Sequence, residues 1–270
     1  MNFVRHWLLA LQFFTRIPVT GRLAAWVGFS PAMLRAAAAH FPAIGWIAAA
    51  VACGAYAGAV ALWGNGPLVP LAAAVACTAA TAWLTGAFHE DGLADVADGL
   101  GGSADRERAL EIMKDSRIGS YGALALVLAV AAKVALLGVL GGHGLAAVLT
   151  ALAGAQVVSR FWPLLIVRTL PHVGDTARSK SKPLADQISG GALVIAFSWC
   201  CVPLALVLLA QGALFLGASL AASGAALWWM RRGFVRRLGG FTGDCLGAVQ
   251  QVCEIAFYLG AATALRWSNG

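Results

Sequence analysis

Charge is scarce in this chain: 11% of its 270 residues are Asp, Glu, Lys or Arg, while 60% are hydrophobic. Soluble domains carry about 25% charged and about 45–50% apolar residues. A water-facing exterior cannot be assembled from so few polar side chains. Together with a mean hydropathy of +0.78, this excludes an ordinary soluble domain and points to the bilayer as solvent. The chain also lacks any Ser/Pro/Gly-rich linker or low-complexity tract, so residues 1–270 read as a single domain. It has no CxxC pair. The six cysteines (Cys53, Cys77, Cys200, Cys201, Cys245 and Cys253) read as buried small hydrophobes, not as disulfides or zinc ligands. The net charge of +7 is not gathered into a basic stripe with interleaved aromatics, which argues against nucleic acid. The apolar stretch Phe3–Phe14 is short, interrupted by Gln12 and followed by Thr15-Arg16-Ile17-Pro18. It reads as an interfacial helix lying on the membrane, not as a cleaved signal peptide.

What is present is a set of long apolar runs. A membrane-crossing helix needs about 20 mainly apolar residues, and seven segments qualify: 41–63, 68–88, 120–140, 145–167, 190–209, 212–230 and 246–265. The expected fold is an all-α, polytopic helical bundle. Its basic residues alternate with the runs. Arg5, Arg16, Arg22 and Arg35 precede the first. Arg106, Arg108, Lys114 and Arg117 follow the second, and Arg168, Arg178, Lys180 and Lys182 follow the fourth. Arg231, Arg232, Arg236 and Arg237 follow the sixth. With seven crossings these 16 of the 19 basic residues share one side, which the positive-inside rule places in the cytoplasm of an inner-membrane protein. Eleven of the 12 acids follow them; Glu254 lies inside the last run. Lys133 and Arg160 also fall within runs, where a charge must pair, snorkel or face a polar cavity.

The densest chemistry is His89-Glu90-Asp91-Gly92-Leu93-Ala94-Asp95-Val96-Ala97-Asp98-Gly99. On a helix, Asp91, Asp95 and Asp98 share one face. Carboxylates so arranged repel one another unless a cation sits among them, and hard oxygen ligands suit magnesium or calcium. Glu90 lies one position off the face and is a weaker ligand candidate. A solvated acidic helix end is the alternative. Downstream, Ser103–Ser116 reads as a short amphipathic helix that Ser103 can cap. Lys114, Asp115 and Arg117 follow, with cations suited to a polyanionic substrate. A second constellation, Gly239-Gly240-Phe241-Thr242-Gly243-Asp244-Cys245-Leu246-Gly247-Ala248, is a glycine-rich turn into a helix start and a ready anion site. There Asp244 can act as ligand, base or helix cap. Among the intramembrane charges, Arg160 is the expected partner of Glu254.

Taken together, and with Phe14-Thr15-Arg16-Ile17-Pro18, Phe41-Pro42-Ala43-Ile44-Gly45 and Leu110-Glu111-Ile112-Met113-Lys114-Asp115-Ser116-Arg117-Ile118-Gly119, these motifs resemble the cobalamin synthase (adenosylcobinamide-GDP ribazoletransferase) family over nearly the whole chain. The family's Asp-Gly-Leu-Ala-Asp-x-x-Asp-Gly pattern falls on Asp91, Asp95 and Asp98, and its Thr-Gly-Asp-x-Leu-Gly-Ala pattern on Thr242 to Ala248. The resemblance implies a membrane phosphotransferase that joins adenosylcobinamide-GDP to α-ribazole, or to its 5′-phosphate, and releases GMP with magnesium as cofactor. On that reading Asp91, Asp95, Asp98 and Asp244 are catalytic, and Asp91, Asp95, Asp98 and Glu90 hold the metal. Lys114, Asp115, Arg117, Arg16, Arg160, Thr242, Gly243 and Glu254 contact substrate. Partners would be these small molecules and the lipid bilayer; a homo-oligomer or a complex with other cobalamin-assembly enzymes stays open. Two other readings compete. A CDP-alcohol-type phosphotransferase places Ala-Arg after Asp-Gly, unlike this chain. A transporter would show internal repeats and midplane polar residues, and no repeat is found.

Overall fold

The computed structural model describes residues 2–64, 66–174 and 187–268. The basic residues Arg178, Lys180 and Lys182 lie outside the described residues. Helices dominate. In chain order they are α1 (Asn2–Phe14), α2 (Gly21–Val27), α3 (Pro31–Ala37), α4 (Phe41–Trp63), α5 (Val69–Thr85), α6 (Phe88–Gly102), α7 (Arg106–Ile112), α8 (Ser120–Gly142), α9 (Leu145–Thr169), α10 (Gly190–Leu238) and α11 (Gly243–Ser268). Among the described residues no strand forms, and strand-like pairing is limited to an isolated bridge between His172 and Phe241. The all-α bundle expected from hydropathy is what the chain adopts.

Among the described residues five helical stretches are long and apolar enough to cross a membrane, or six if α5 and α6, bent by 90°, count as one. The 49-residue α10 is interrupted at Gly212, whose φ of 84° and ψ of 173° leave the helical region. That conformation suits glycine because it carries no Cβ. Both ends of α10 return to the same end of α9. Arg168 donates to the Ile188 carbonyl beside the start of α10 (3.3 Å), and just beyond its end Phe241 exchanges backbone hydrogen bonds with Pro171 and Val173 (3.0 and 2.9 Å). Gly212 therefore turns α10 back on itself, and its two arms are the separate apolar runs 190–209 and 212–230. Large apolar side chains such as Leu124, Val127, Leu128, Leu209 and Trp229 are exposed along these helices, as a lipid-facing surface requires.

The basic and acidic segments gather at one end of this bundle. There α5 stops at Gly86 and Ala87, both with positive φ (68° and 57°), and the chain turns into α6. The turn is held by Ala87 N–H donating to Ala82 (2.8 Å) and Arg16 N–H donating to Leu84 (2.7 Å). α6 then lies across the charged end, outside the crossing helices, over the starts of α8 and α11. The approach to α11 is close because glycine stands on both sides. A Cβ on Gly92 would come within 2.7 Å of the Asp244 carbonyl, and one on Gly247 within 3.2 Å of the His89 backbone. Neither neighbour is a side-chain tip that could swing aside.

Below α6 the interior has two apolar clusters. One, around Phe14, Phe41, Val96, Phe234, Phe241 and Val249, fills the charged end. The other, around Tyr56, Leu137, Leu152, Phe215 and Phe257, fills the far half. Overpacking a tight crossing costs about 1–3 kcal/mol. Gly92→Val should accordingly lower the thermal midpoint in detergent by several degrees. Gly217→Ala, where an added Cβ meets nothing within 4 Å, should leave it nearly unchanged. Equal midpoints for Gly92→Val and the parent protein would refute the crossing.

Candidate active site

The three aspartates of α6 share a face as their spacing requires, but they are not equivalent. Asp91 is exposed, Asp95 half-buried and Asp98 buried. Asp98 accepts backbone N–H bonds from Gly119 (2.7 Å) and Gly122 (2.8 Å), so it satisfies the first, otherwise unpaired, amides of α8. A side chain at 119 or 122 would collide with that carboxylate. Asp244 comes to the same place from the first turn of α11. Thr242, not Asp244, caps that turn: its Oγ1 accepts from Cys245 N–H (3.5 Å) and donates to Asp244 Oδ2 (3.2 Å). This leaves Asp244 turned toward α6. Burial first, and then the charges of Asp244, Asp91 and Asp98, push the Asp95 carboxyl up to about 7. Asp91, Asp98 and Asp244 are thus near enough to Asp95 to oppose its ionisation.

They do not form a finished cage. Among the described residues no three His, Cys, Asp or Glu side chains converge at metal-binding distance. Magnesium usually takes only one or two carboxylates, the rest of its shell being water and substrate phosphate. A half-open set with Asp91, Asp95 and Asp244 fits that pattern better than it fits calcium, which takes more protein oxygens. Glu90 points elsewhere. Its Oε1 accepts from Gln251 (3.1 Å), while Oε2 is buried with no partner among the described residues.

A cleft of about 540 Å³ opens beside Asp98, edged by Arg108, Asp115, Arg117, Gly119 and Tyr121. Arg117 forks Asp115 (Nη2 to Oδ2, 2.6 Å; Nε to Oδ1, 3.0 Å), which holds that carboxyl down at about 2. The pair is solvent-exposed, so its fork can be exchanged for a phosphate at little cost. Lys114 immediately precedes it. Arg16 lies at the α5–α6 corner, its side chain against Gly86. The helix preceding the cleft is shorter than expected: it begins at Arg106 and is capped by Asp105, which accepts from Arg108 N–H (2.8 Å). Ser103 instead accepts from Asp105 N–H (3.1 Å), so it supports the turn and not the helix. Two further arginines, not singled out by the sequence, tie this loop to α10: Arg106 donates to Leu238 (2.7 Å), and Arg237 to Leu100 (3.0 Å) and Ser103 (2.6 Å). Gly243 lines a narrow apolar pocket of about 40 Å³ with Phe14, Phe41, Phe88 and His89.

Glu254 and Arg160 stand apart from the carboxylate face, within a buried polar layer between the two apolar clusters. The expected Glu254–Arg160 pair is corrected by the structure. Glu254 pairs with Lys133 at 2.6 Å. Arg160 reaches it only through Gln156, which accepts from Arg160 Nη1 (2.8 Å) and donates to Glu254 Oε1 (2.7 Å). Gln250 and Tyr258 also donate to Glu254 (2.8 and 2.9 Å). Gln250 additionally accepts from Gln251 (2.9 Å), whose amide reaches Glu90 on α6. The sequence reading passed over Gln156, Gln250, Gln251 and Tyr258. A signal was there: 250, 254 and 258 on α11 and 156 and 160 on α9 repeat at helical spacing, too regularly for chance polar residues in apolar helices.

Two outcomes follow. Removing one partner of a buried ion pair costs about 3–5 kcal/mol, so Lys133→Met should unfold or strongly destabilise the protein, and Lys133→Met with Glu254→Gln should recover much of the loss. A double variant no more stable than Lys133→Met would refute the pairing. The second concerns Asp95, whose folded carboxyl binds its proton more tightly than its unfolded one (ordinary value 3.8). Stability of the cation-free protein should fall as pH rises from about 4 through about 7. Asp95→Asn should flatten that fall in a series of thermal melts, and an unchanged slope would contradict it.

Comparison with known proteins places the chain. The model of the Cobalamin-5-phosphate synthase family matches residues 6–262. A protein of Polaromonas naphthalenivorans named adenosylcobinamide-GDP ribazoletransferase is 59% identical over 98% of this chain and 100% of its own length. One of the same name from Albidiferax ferrireducens is 57% identical over 98% of this chain and 99% of its own length. Another from Vibrio cholerae is 41% identical over 93% of this chain and 91% of its own. No solved structure matches. The chain is therefore a member of the Cobalamin-5-phosphate synthase family.

Proposed function

We propose that this chain transfers the phospho-cobinamide group of adenosylcobinamide-GDP to α-ribazole, or to its 5′-phosphate, forming adenosylcobalamin or its phosphate and releasing GMP. Family membership and relatives of that name support the reaction. The observation that carries the assignment of the site is the meeting of Asp91 and Asp95 on α6 with Asp244 on α11, beside a cleft edged by Arg117.

In the displacement, a ribose hydroxyl oxygen bonds to the phosphorus attached to cobinamide, and the bond from that phosphorus to the GMP oxygen breaks. Such reactions gain most from positioning and charge neutralisation. Bound magnesium would neutralise the diphosphate; Asp91, Asp95 and Asp244 are the residues that would hold it. Asp244, which accepts from Thr242, takes the hydroxyl proton in this reading. Arg117 gives up its fork with Asp115 to grip the departing GMP phosphate, with Lys114 next to it and Arg16 at the base of α6. Asp98 keeps α6 and the start of α8 together, a positioning role. Arg160 and Glu254 act from the buried layer, by fixing helices. The charged end faces the cytoplasm of the inner membrane, in line with its share of basic residues.

Asp91→Asn and Asp95→Asn should each lower GMP release by about 10²-fold or more, the scale of losing one charge-stabilising group. Both variants should still insert and melt cooperatively, with Asp95→Asn melting at or above the parent protein near pH 8 without divalent cation. Near-normal turnover in both variants would overturn the assignment.

A further inference from the structure

A second, larger cavity lies away from the carboxylates, where α1, the turn after α3, the end of α9 and the start of α10 meet. It measures about 1190 Å³ and shares no lining residue with the cleft beside Asp98. Its polar wall is one-sided. His6, Arg35, His40 and Arg168 line it, and among the described residues no Asp or Glu does. His40 is only 2% exposed, and its Nδ1 is buried with no hydrogen-bond partner among the described residues. Its ring is fixed by an edge-to-face contact with Phe3 (4.6 Å) and lies 6.2 Å from Trp199. The floor is the first turn of α10. There Ser189 caps only Ala192 N–H (3.1 Å), and a Cβ on Gly190 would meet nothing within 4 Å, so the backbone is open to the cavity. A buried polar atom without a partner is costly, and two arginines with no counter-charge among the described lining residues repel one another. Both costs are relieved by one kind of occupant, an anion with several acceptor oxygens.

We propose that this cavity is a binding site for a soluble organic phosphate of nucleotide size. Its phosphate lies between Arg35 and Arg168, with His40 and the α10 amides as further donors, and its organic part lies against Ala32, Ala36 and Ile195. Arginine suits this task because its planar fork matches phosphate geometry. The volume exceeds what an inorganic ion needs; small-molecule pockets run about 300–1,000 Å³. The site does not depend on the transferase reading, since none of its residues belongs to the carboxylate centre.

The test is isothermal titration of the full-length protein with ribose 5-phosphate and, separately, with ribose. It is run in uncharged detergent and in phosphatidylcholine and phosphatidylglycerol nanodiscs. The proposal requires saturable binding of ribose 5-phosphate in all three settings and none of ribose. Affinity should fall at least tenfold in Arg35→Gln, return in large part in Arg35→Lys, and persist in Arg117→Ala, which alters the other cleft. Arg168→Lys, which keeps the charge but loses the fork, should weaken binding several-fold and provides a second reading should Arg35→Gln fail to fold. Absence of saturable binding, or equal binding by Arg35→Gln, overturns the proposal. So does loss of binding in phosphatidylglycerol nanodiscs alone, which would mark the cavity as a lipid-headgroup site.

Discussion

The pairing of Lys133 with Glu254 is the constraint on which the rest of the structure hangs. Each charge left alone among apolar helices would cost several kcal/mol in lost hydration, so the helices that carry them must meet. Lys133 is on α8 and Glu254 on α11. Gln156 and Arg160 bring in α9, and Gln250 and Gln251 extend the network to Glu90 on α6. Two cations, Lys133 and Arg160, face two anions, Glu254 and Glu90, so the layer is balanced in formal charge. Four helices are thereby locked in depth and rotation, which apolar packing alone specifies loosely. The proposed site depends on that lock because α6 carries Asp91, Asp95 and Asp98 on another face.

The placement of α6 then follows from small residues and one large electrostatic demand. Gly92 and Gly247 let α6 and α11 touch backbone to backbone, which is what brings Asp244 up to the α6 carboxylates. Asp98 gives its charge to the first amides of α8 and so anchors the far end of the helix. What remains is a set of acids held closer than their charges favour, with Asp95 raised accordingly. Stability is given up there, and a cation held in the proposed site would restore it. Local strain of this kind at a working site is common. It accounts for acids crowded onto the charged end while the opposite end is nearly bare of them.

Hydropathy made much of the bundle legible because length and apolarity leave few alternatives in lipid. The run 41–63 is α4 itself, and 145–167 is α9 short by two residues. The division between 209 and 212 anticipated the reversal at Gly212 inside an otherwise continuous helix. The shared face of Asp91, Asp95 and Asp98 also followed from spacing. What spacing could not carry were facts of three dimensions. The right-angle corner at Gly86–Ala87 needs a positive φ at an alanine, which no sequence rule favours. The choice of Lys133 over Arg160 as the partner of Glu254 depends on how α8 and α9 rotate against α11. Asp98 reads as a ligand until the start of α8 is seen to use both its oxygens. Ser103 reads as the cap of the helix after α6, but the local turn gives that place to Asp105.

The most direct test of the account is whether the α6 carboxylates and Asp244 form one cation-binding centre. Manganese, which takes similar oxygen ligands to magnesium, can be titrated into purified protein and followed by electron paramagnetic resonance. The account predicts stoichiometric uptake near pH 8, weakened at least tenfold by combining Asp95→Asn with Asp244→Asn and left intact by substitutions in the Arg35 cavity. Equal uptake by the parent protein and the double variant would contradict it and would separate these carboxylates from any metal.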